Sequence, residues 1–245
     1  MRKFLVFIPV YNEERSIRTI IRAIRDITDN VDILVIDDGS TDHTANILES
    51  TKNIHTIRHM ENQGYGKTLI DGFSYACDME YEHVITIDSD KQHQPKEINK
   101  FIRTAQVYDS DIISGSRYLD ISCNKLSKAP EDRIRINRRI TNIINNLTGF
   151  QLTDAFCGFK LYKVEALKKL KLDETGYGLP IQLWIQAWKK GLSVNEIPVQ
   201  LIYFDHTSGQ TSFWKDMFRR YRYYLQIIQK ETESHEYNDY SSASR

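Results

Sequence analysis

The sequence predicts an α/β fold: a mostly parallel sheet with helices on both faces. Three observations carry that prediction. Short apolar runs of β-branched and aromatic residues recur at Phe4 to Val10, Val31 to Ile36, Ile54 to Ile57, Val84 to Ile87 and Asp111 to Ser114. Segments of helical character lie between them, the alternation that favours a parallel sheet covered on both sides. Polar clusters follow three of the runs directly, at Tyr11-Asn12-Glu13, Asp37-Asp38-Gly39-Ser40 and Asp88-Ser89-Asp90. In such sheets, loops leaving the carboxyl ends of strands line one crevice, so these clusters are expected to converge.

The elements follow in order. Phe4 to Val10 reads as a first strand. The preceding Met1-Arg2-Lys3 is like the start of a signal peptide, but Pro9 breaks the apolar run and Asn12-Glu13-Glu14 follows at once. From Glu13 to Ile27, the isoleucines Ile17, Ile20, Ile21 and Ile24 share one helical face. Thr41 to Ser50 and Lys67 to Glu80 read as helices, with Gly39 suited to turning the chain and Ser40 or Thr41 to capping the first of them. Pro95 fits the first turn of another helix. Tyr118 to Asp132 reads as a long loop. Ile134 to Leu147 resumes as a basic helix with Ile136, Ile140, Ile143 and Ile144 toward the core. Leu161 to Leu170 and Leu179 to Lys190 read as largely helical, and Ser193 to Phe204 as two short strands around Pro198. Phe213 to Lys230 is an aromatic and basic helix, and the polar end beyond it is expected to fray. The layout is one α/β domain over 1–212, an amphipathic helix over 213–232 and a disordered tail over 233–245.

Composition narrows the classes. The 245 residues are long enough for one sizeable core, and a net charge of zero gives no support for a nucleic-acid partner. Three cysteines, Cys77, Cys123 and Cys157, form no CxxC pair and suggest neither a disulfide framework nor a zinc knuckle. A reducing, cytoplasmic location is the expectation. No stretch of about twenty apolar residues is present, so the chain is not expected to span a bilayer. Oligomeric state stays open.

Four groups of residues bear chemistry. Asp88 and Asp90, two apart after a strand, point the same way in extended backbone and can share a divalent cation, with Gln92 on the same parity. A hard cation such as Mg or Mn, held by few protein ligands, keeps positions for phosphate oxygens. An Asp-Ser-Asp tripeptide alone also serves as a polar turn or helix cap. At Asp37 and Asp38 a carboxylate can accept from a ribose or a base, or close an Asx-type turn. Gly64-Tyr65-Gly66-Lys67-Thr68 lacks the first glycine of a Walker loop, Glu61 standing there, and Leu69 replaces the last glycine of GxGxxG. A helix start with Lys67 to favour an anion remains. Arg117 and Arg133, Arg135, Arg138 and Arg139 suit phosphate, although a solvated basic face has the same pattern.

Together, Ile8-Pro9-Val10-Tyr11-Asn12-Glu13-Glu14, Val35 to Asp42 with its Asp37-Asp38-Gly39-Ser40, and Ile87-Asp88-Ser89-Asp90 with Gln92-His93 and Pro95 resemble family 2 glycosyltransferases in order and spacing. Asn62 to Phe73, Ser114 to Tyr118 and Thr153 to Phe159 are similar to the branch that acts on dolichol or polyprenol phosphate with mannose or glucose. The resemblance covers the chain to about Phe213 and implies a GT-A-like, Rossmann-like fold. It implies that Pro9, Tyr11, Glu13 and Asp38 hold the nucleoside. Asp88, Asp90 and Gln92 hold Mg or Mn against the diphosphate. Arg117 and the arginines from 133 to 139 meet an acceptor phosphate. The implied reaction is inverting transfer from a nucleotide-diphosphate sugar, GDP-mannose or UDP-glucose, to a polyprenyl phosphate. Asp154 is the candidate base should the acceptor instead be a soluble or protein-linked alcohol. A non-catalytic nucleotide-sugar binding protein is the alternative of another class.

Departures from the family pattern fall on the acceptor side. Cys157 stands where serine is common, Lys160 where arginine is common, and His206 where an arginine precedes glycine by three; the arginine helix lacks the expected serine. The aromatic-basic segment 213–230 suits the cytoplasmic face of a membrane, or packing against the domain or a second subunit.

Overall fold

The computed structural model describes residues 3–28, 30–120, 131–200, 202 and 217–242, with side chains of the last helix through Glu233. Its centre is a seven-stranded sheet: β1 (Phe4–Val10), β2 (Asp32–Asp37), β3 (His55–Arg58), β4 (His83–Thr86), β5 (Ile112–Ser116), β6 (Lys160–Lys163) and β7 (Val194–Pro198). The order is β3-β2-β1-β4-β6-β5-β7. Each pairing is parallel except those of β6, which runs antiparallel to both β4 and β5. The five expected strands are present, shifted by one or two residues at their ends.

Alternation along the strands divides the core into two layers, as the period of two requires. Leu5 and Phe7 of β1 and Leu34 and Ile36 of β2 face one layer, with helices α3 (Tyr65–Asp78), α5 (Glu131–Thr148), α6 (Val164–Leu167), α7 (Leu179–Lys189) and α8 (Met217–Ser242). Val6, Ile8, Ile33 and Val35 face the other, with α1 (Ile17–Arg25), α2 (Thr44–Glu49) and α4 (Ile98–Val107). The expected isoleucine face of α1 is buried in full, at Ile17, Ile20, Ile21 and Ile24. A 3-10 turn over Pro95–Glu97 leads into α4. Pro9 lies beyond the last β1 pair with β4, Phe7 with Thr86, so its missing N–H costs no ladder bond.

Several boundaries differ from expectation, for local reasons. α1 and α2 start late because the loops before them bond to each other. Asn12 takes a left-handed φ of 56° and its N–H donates to Ser40 Oγ at 2.9 Å, while its Oδ1 accepts the Thr41 N–H at 2.8 Å. Glu13 N–H donates to Thr44 Oγ1 at 2.8 Å, and the His43 N–H donates to Glu14 Oε2 at 3.0 Å. Ser40 and Thr41 therefore staple two strand ends together instead of capping α2. The segment from Leu161 is not helical at its start: Leu161 and Tyr162 form β6, with Leu161 in one core layer and Tyr162 in the other. A short run buried on both faces carries no periodicity that separates strand from helix. Only Val164–Leu167 is helical after it. Of the two strands expected around Pro198, β7 forms and ends at that residue, and residues 199 and 200 are not in a strand.

The last helix continues past residue 232 to Ser242 and packs on α7 and α5. Glu231, buried, accepts from Gln182 Nε2 at 2.6 Å and Gln186 Nε2 at 3.2 Å, two α7 residues one turn apart. Arg220, expected on a basic face, is buried and paired with Asp132 at 2.5 Å. Met217, Tyr221, Tyr224 and Ile227 join the core, whereas Phe218 and Leu225 are exposed beside Arg219 and Arg222. No helix among the described residues is long and apolar enough to cross a membrane.

Gly39 closes the turn after β2 at φ +71°, and a Cβ there would lie 2.4 Å from the Glu61 carbonyl carbon. Gly39→Ala is expected to cost about 2–4 kcal/mol, from the left-handed conformation and the backbone displacement together. Urea unfolding of the two proteins side by side measures it.

Candidate active site

The carboxyl ends of β1, β2, β4 and β5 lie at one edge of the sheet. Because β6 is reversed, the loop before it, Thr153 to Phe159, reaches the same edge. Sequence clusters far apart in the chain meet there.

Asp88 and Asp90 are the acidic centre. β4 ends at Thr86, and Lys91 takes a φ of 63°, so the backbone is not extended as far as Gln92. The expected common parity of Asp88, Asp90 and Gln92 fails there: the Gln92 N–H instead closes a turn onto Asp90 Oδ1 at 3.0 Å. The two carboxyls are nonetheless close enough to couple. Burial raises the pKa of Asp88 against the opposing pull of Tyr65, Lys160 and Arg117. Asp90 lies on the exposed rim, yet the protein crowded around its carboxyl, followed by the charge of Asp88, lifts it to about 7. Two carboxyls raised together fit a site made for a cation. Among the described residues no group of three His, Cys, Asp or Glu could hold a metal.

The surroundings of Asp88 are built closely. Tyr65 Oη donates to its Oδ1 at 3.2 Å, and His93 Nε2 stands 3.8 Å from its Oδ2. His93 is buried against Phe159 and held near a pKa of about 3, by burial first and then by Arg117, so it is neutral. A Cβ on Gly158 would lie 2.2 Å from Asp88 Oδ2, so only glycine permits this approach. Lys160 is buried nearby, donates to the Cys157 carbonyl, and lies 5.5 Å from the Trp184 ring. Burial pushes the Cys157 thiol up to about 12, which leaves it protonated and inert.

On the nucleoside side the residues divide. Tyr11 is exposed, and Glu13, half-buried and hydrogen-bonded by Ser16, has its pKa raised chiefly by burial. The Pro9 carbonyl accepts from Ser89 Oγ at 3.1 Å. Asp37 accepts the Ser40 N–H at 2.9 Å and faces Arg58, whose Nε is 3.4 Å away. Asp38, expected to face a nucleoside, turns inward. Its oxygens accept from His59 Nδ1 at 2.7 Å and from the N–H groups of Gln63 at 2.8 Å and Gly64 at 2.9 Å. The carboxylate thus fixes the 59–64 loop, because backbone donors buried there have no water to bond.

Lys67 is likewise committed, to Asp71 one turn along α3. The glycines around it serve close packing. Cβ atoms on Gly64 and Gly66 would lie 2.5 Å from Thr175 O and 2.2 Å from Glu174 O, and the Lys67 N–H donates to Thr175 O at 3.1 Å.

Asp154 is the largest correction. Fully buried, it accepts from Arg117 Nε at 2.6 Å, from a second guanidinium nitrogen at 2.9 Å, and from Asn137 Nδ2 at 2.8 Å. The Arg117 and Phe156 N–H groups donate as well, each at 3.2 Å. Burial alone would raise its pKa, but the charge and hydrogen bonds of Arg117, with Asn137, hold it at about 2. A carboxylate so saturated is a poor base; it orients Arg117. Asn137, which sequence reasoning missed, sits on the buried face of α5, where an amide among isoleucines is the available signal. Arg135, Arg138 and Arg139 are exposed on the opposite face, Arg135 pairing with Glu131. Arg138 is near enough to Tyr118 to act on its ionisation. His206 lies outside the described residues.

The fold and this edge define a GT-A-like transferase, and comparison with known proteins agrees. Residues 5–171 match glycosyl transferase family 2, and the chain belongs to that family. It is a glycosyltransferase. The polyprenol monophosphomannose synthase of Mycolicibacterium smegmatis is 28% identical over 206 residues, 81% of this chain and 77% of that protein. The UDP-N-acetylglucosamine–dolichyl-phosphate N-acetylglucosaminyltransferase of Methanococcus voltae is 28% identical over 224 residues, 84% and 88% of the two chains. Among solved structures, glucosyl-3-phosphoglycerate synthase of Mycobacterium tuberculosis, in complex with Mn2+, UDP and glucosyl-3-phosphoglycerate, superposes with a TM-score of 0.73 at 18% identity. The match covers 94% of this chain and 80% of that one.

The Asp154–Arg117 pair has a pH signature. Its folded pKa of about 2 lies below the ordinary 3.8, so its stabilisation is complete above about pH 4 and is lost as pH falls through 2. Asp154→Asn is expected to remove on the order of 3 kcal/mol at pH 7, since it leaves a buried guanidinium without its counter-charge. The acid limb of the stability curve between pH 4 and 2 flattens with it, as followed by circular dichroism.

Proposed function

We propose that this glycosyltransferase moves a hexose from a nucleotide-diphosphate sugar to a polyprenyl phosphate, with inversion at the anomeric carbon. The observation that carries the acceptor reading is the saturation of Asp154 by Arg117 and Asn137. An alcohol must lose a proton as it attacks and needs a base. A phosphate monoester, with a second pKa of about 6, is already anionic and needs none. A site whose expected base is spent on orienting a guanidinium suits the second kind of nucleophile. The relatives named above, one a polyprenol phosphomannose synthase and one a transferase acting on dolichyl phosphate, support the same class.

In this reading the acceptor phosphate oxygen attacks the anomeric carbon from the side opposite the nucleoside diphosphate. The bond from that carbon to the diphosphate oxygen breaks, and the electron pair leaves with the diphosphate. Asp88 and Asp90, with Gln92, would hold Mg2+ or Mn2+, which supplies positive charge to the leaving diphosphate. Arg117, rigid on Asp154, offsets negative charge on the phosphate side, and Arg138 and Arg139 on the exposed face of α5 extend that positive field. Tyr11, Glu13 and Asp37 border the nucleoside. The exposed Phe218, Arg219, Arg222 and Leu225 of α8 suit a membrane surface carrying the lipid acceptor, at its cytoplasmic face. Mannose or glucose is the favoured sugar.

Incubation of the protein and Mn2+ with GDP-mannose, UDP-glucose or UDP-N-acetylglucosamine, each with a short-chain polyprenyl phosphate or an alcohol acceptor, tests this directly. A lipid-phosphate sugar product is expected with one donor. Transfer only to an alcohol would sink the acceptor reading. Asp90→Ala is expected to keep its thermal unfolding midpoint within a few degrees and to lose at least about a hundredfold in turnover, the several kcal/mol that a correctly held cation contributes.

A further inference from the structure

Away from the cleft, α8 is joined to Asp88 by one continuous series of contacts. Tyr223 Oη on α8 donates to Glu174 Oε1 at 2.5 Å and accepts the Gly178 N–H at 3.2 Å. Glycines seat this hydroxyl: a Cβ on Gly176 would lie 2.7 Å from it, and one on Gly178 would lie 3.0 Å from it and 1.9 Å from Ile227 Cδ1. The 174–178 loop thus lies against α8 at a distance that side chains would not permit. Its other side meets α3 just as closely, at Gly64, Gly66 and the Lys67 N–H. Tyr177, carried by this loop, stacks on Tyr65 with ring centroids 5.7 Å apart and planes 15° from parallel. Tyr65 Oη in turn donates to Asp88 Oδ1 at 3.2 Å.

We propose that Tyr65 and Tyr223 are positioning residues for the Asp88 carboxylate, so that α8, acting through the 174–178 loop, sets the cation affinity of the donor site. This rests on the reading of Asp88 as a cation-holding residue. The two tyrosines act in series. The Tyr65 hydroxyl fixes which way one carboxylate oxygen faces, and Tyr177, stacked on Tyr65 within the loop that Tyr223 grips at Glu174 and Gly178, fixes Tyr65. A contact made on the outer face of α8 is thereby felt at Asp88.

Tyr65→Phe, Tyr223→Phe and the double variant keep the rings and remove only the hydroxyls. Mn2+ affinity is read by calorimetry in the presence of UDP or GDP, alongside the Mn2+ concentration giving half-maximal turnover. Tyr65→Phe is expected to weaken Mn2+ binding by about five- to tenfold, within the worth of one ordinary hydrogen bond. Tyr223→Phe is expected to weaken it by about two- to fivefold, and the double variant by no more than Tyr65→Phe alone, as for residues coupled in one path. Glu174→Gln, which weakens the anchor of Tyr223 from the loop side, is expected to act in the same direction and substitutes for Tyr223→Phe should that variant fold poorly. Unchanged Mn2+ affinity in Tyr65→Phe overturns the proposal, and so does a double variant whose losses multiply. Wild-type protein that binds no Mn2+ with either nucleotide is a different result, and removes the cation reading of Asp88 itself.

Discussion

One buried ion pair organises the Arg117 side of the cleft. Asp154 has no exposure, and five donors from three parts of the chain close on it: Arg117 at the end of β5, Asn137 on α5 and Phe156 ahead of β6. The loop that carries it is fixed from behind. Glu196 on β7 accepts the Thr153 N–H at 2.7 Å and the Asp154 N–H at 3.1 Å, and Trp184 Nε1 donates to Ala155 O at 2.9 Å. Breaking such a pair leaves an uncompensated charge in the interior, which is why the geometry of Arg117 depends on every one of these partners.

The Asp88 side follows a different rule. There the pKa values of Asp88 and Asp90 are raised, and among the described residues no lysine or arginine pairs with either as Arg117 does with Asp154. The same residue type therefore takes opposite roles a short distance apart. One aspartate is paired permanently with a guanidinium; two others lie side by side with their pKa values raised. The difference is one of partners.

Much of this was legible in the sequence. The apolar, β-branched and aromatic runs Phe4 to Val10 and Val31 to Ile36 marked β1 and β2, because the preference of such side chains for extended backbone is local physics. The convergence of three acidic clusters followed from the rule for parallel sheets. What escaped were the roles set by long-range partners. Asp38 reads as a ligand-facing acid until His59, Gln63 and Gly64 fold onto it, and Asp154 reads as a base until Arg117 does. Gly64-Tyr65-Gly66 reads as an anion loop because the 174–178 backbone that demands those glycines lies over a hundred residues away. β6 escaped because four residues buried on both faces show no period of their own.

The reversal of β6 decides where the chain tolerates change. In a parallel strand the loop that follows it faces the cleft. In β6 it is the loop before it, so insertions between Gly149 and Phe159 bear directly on both Arg117 and Asp88. Insertions just after Lys163 fall at the far edge, where the Val164 N–H donates to Glu82 O at 3.0 Å. The one loop brings Asp154 to Arg117 and Gly158 to Asp88, so at that single strand both sides of the cleft hang on one connection.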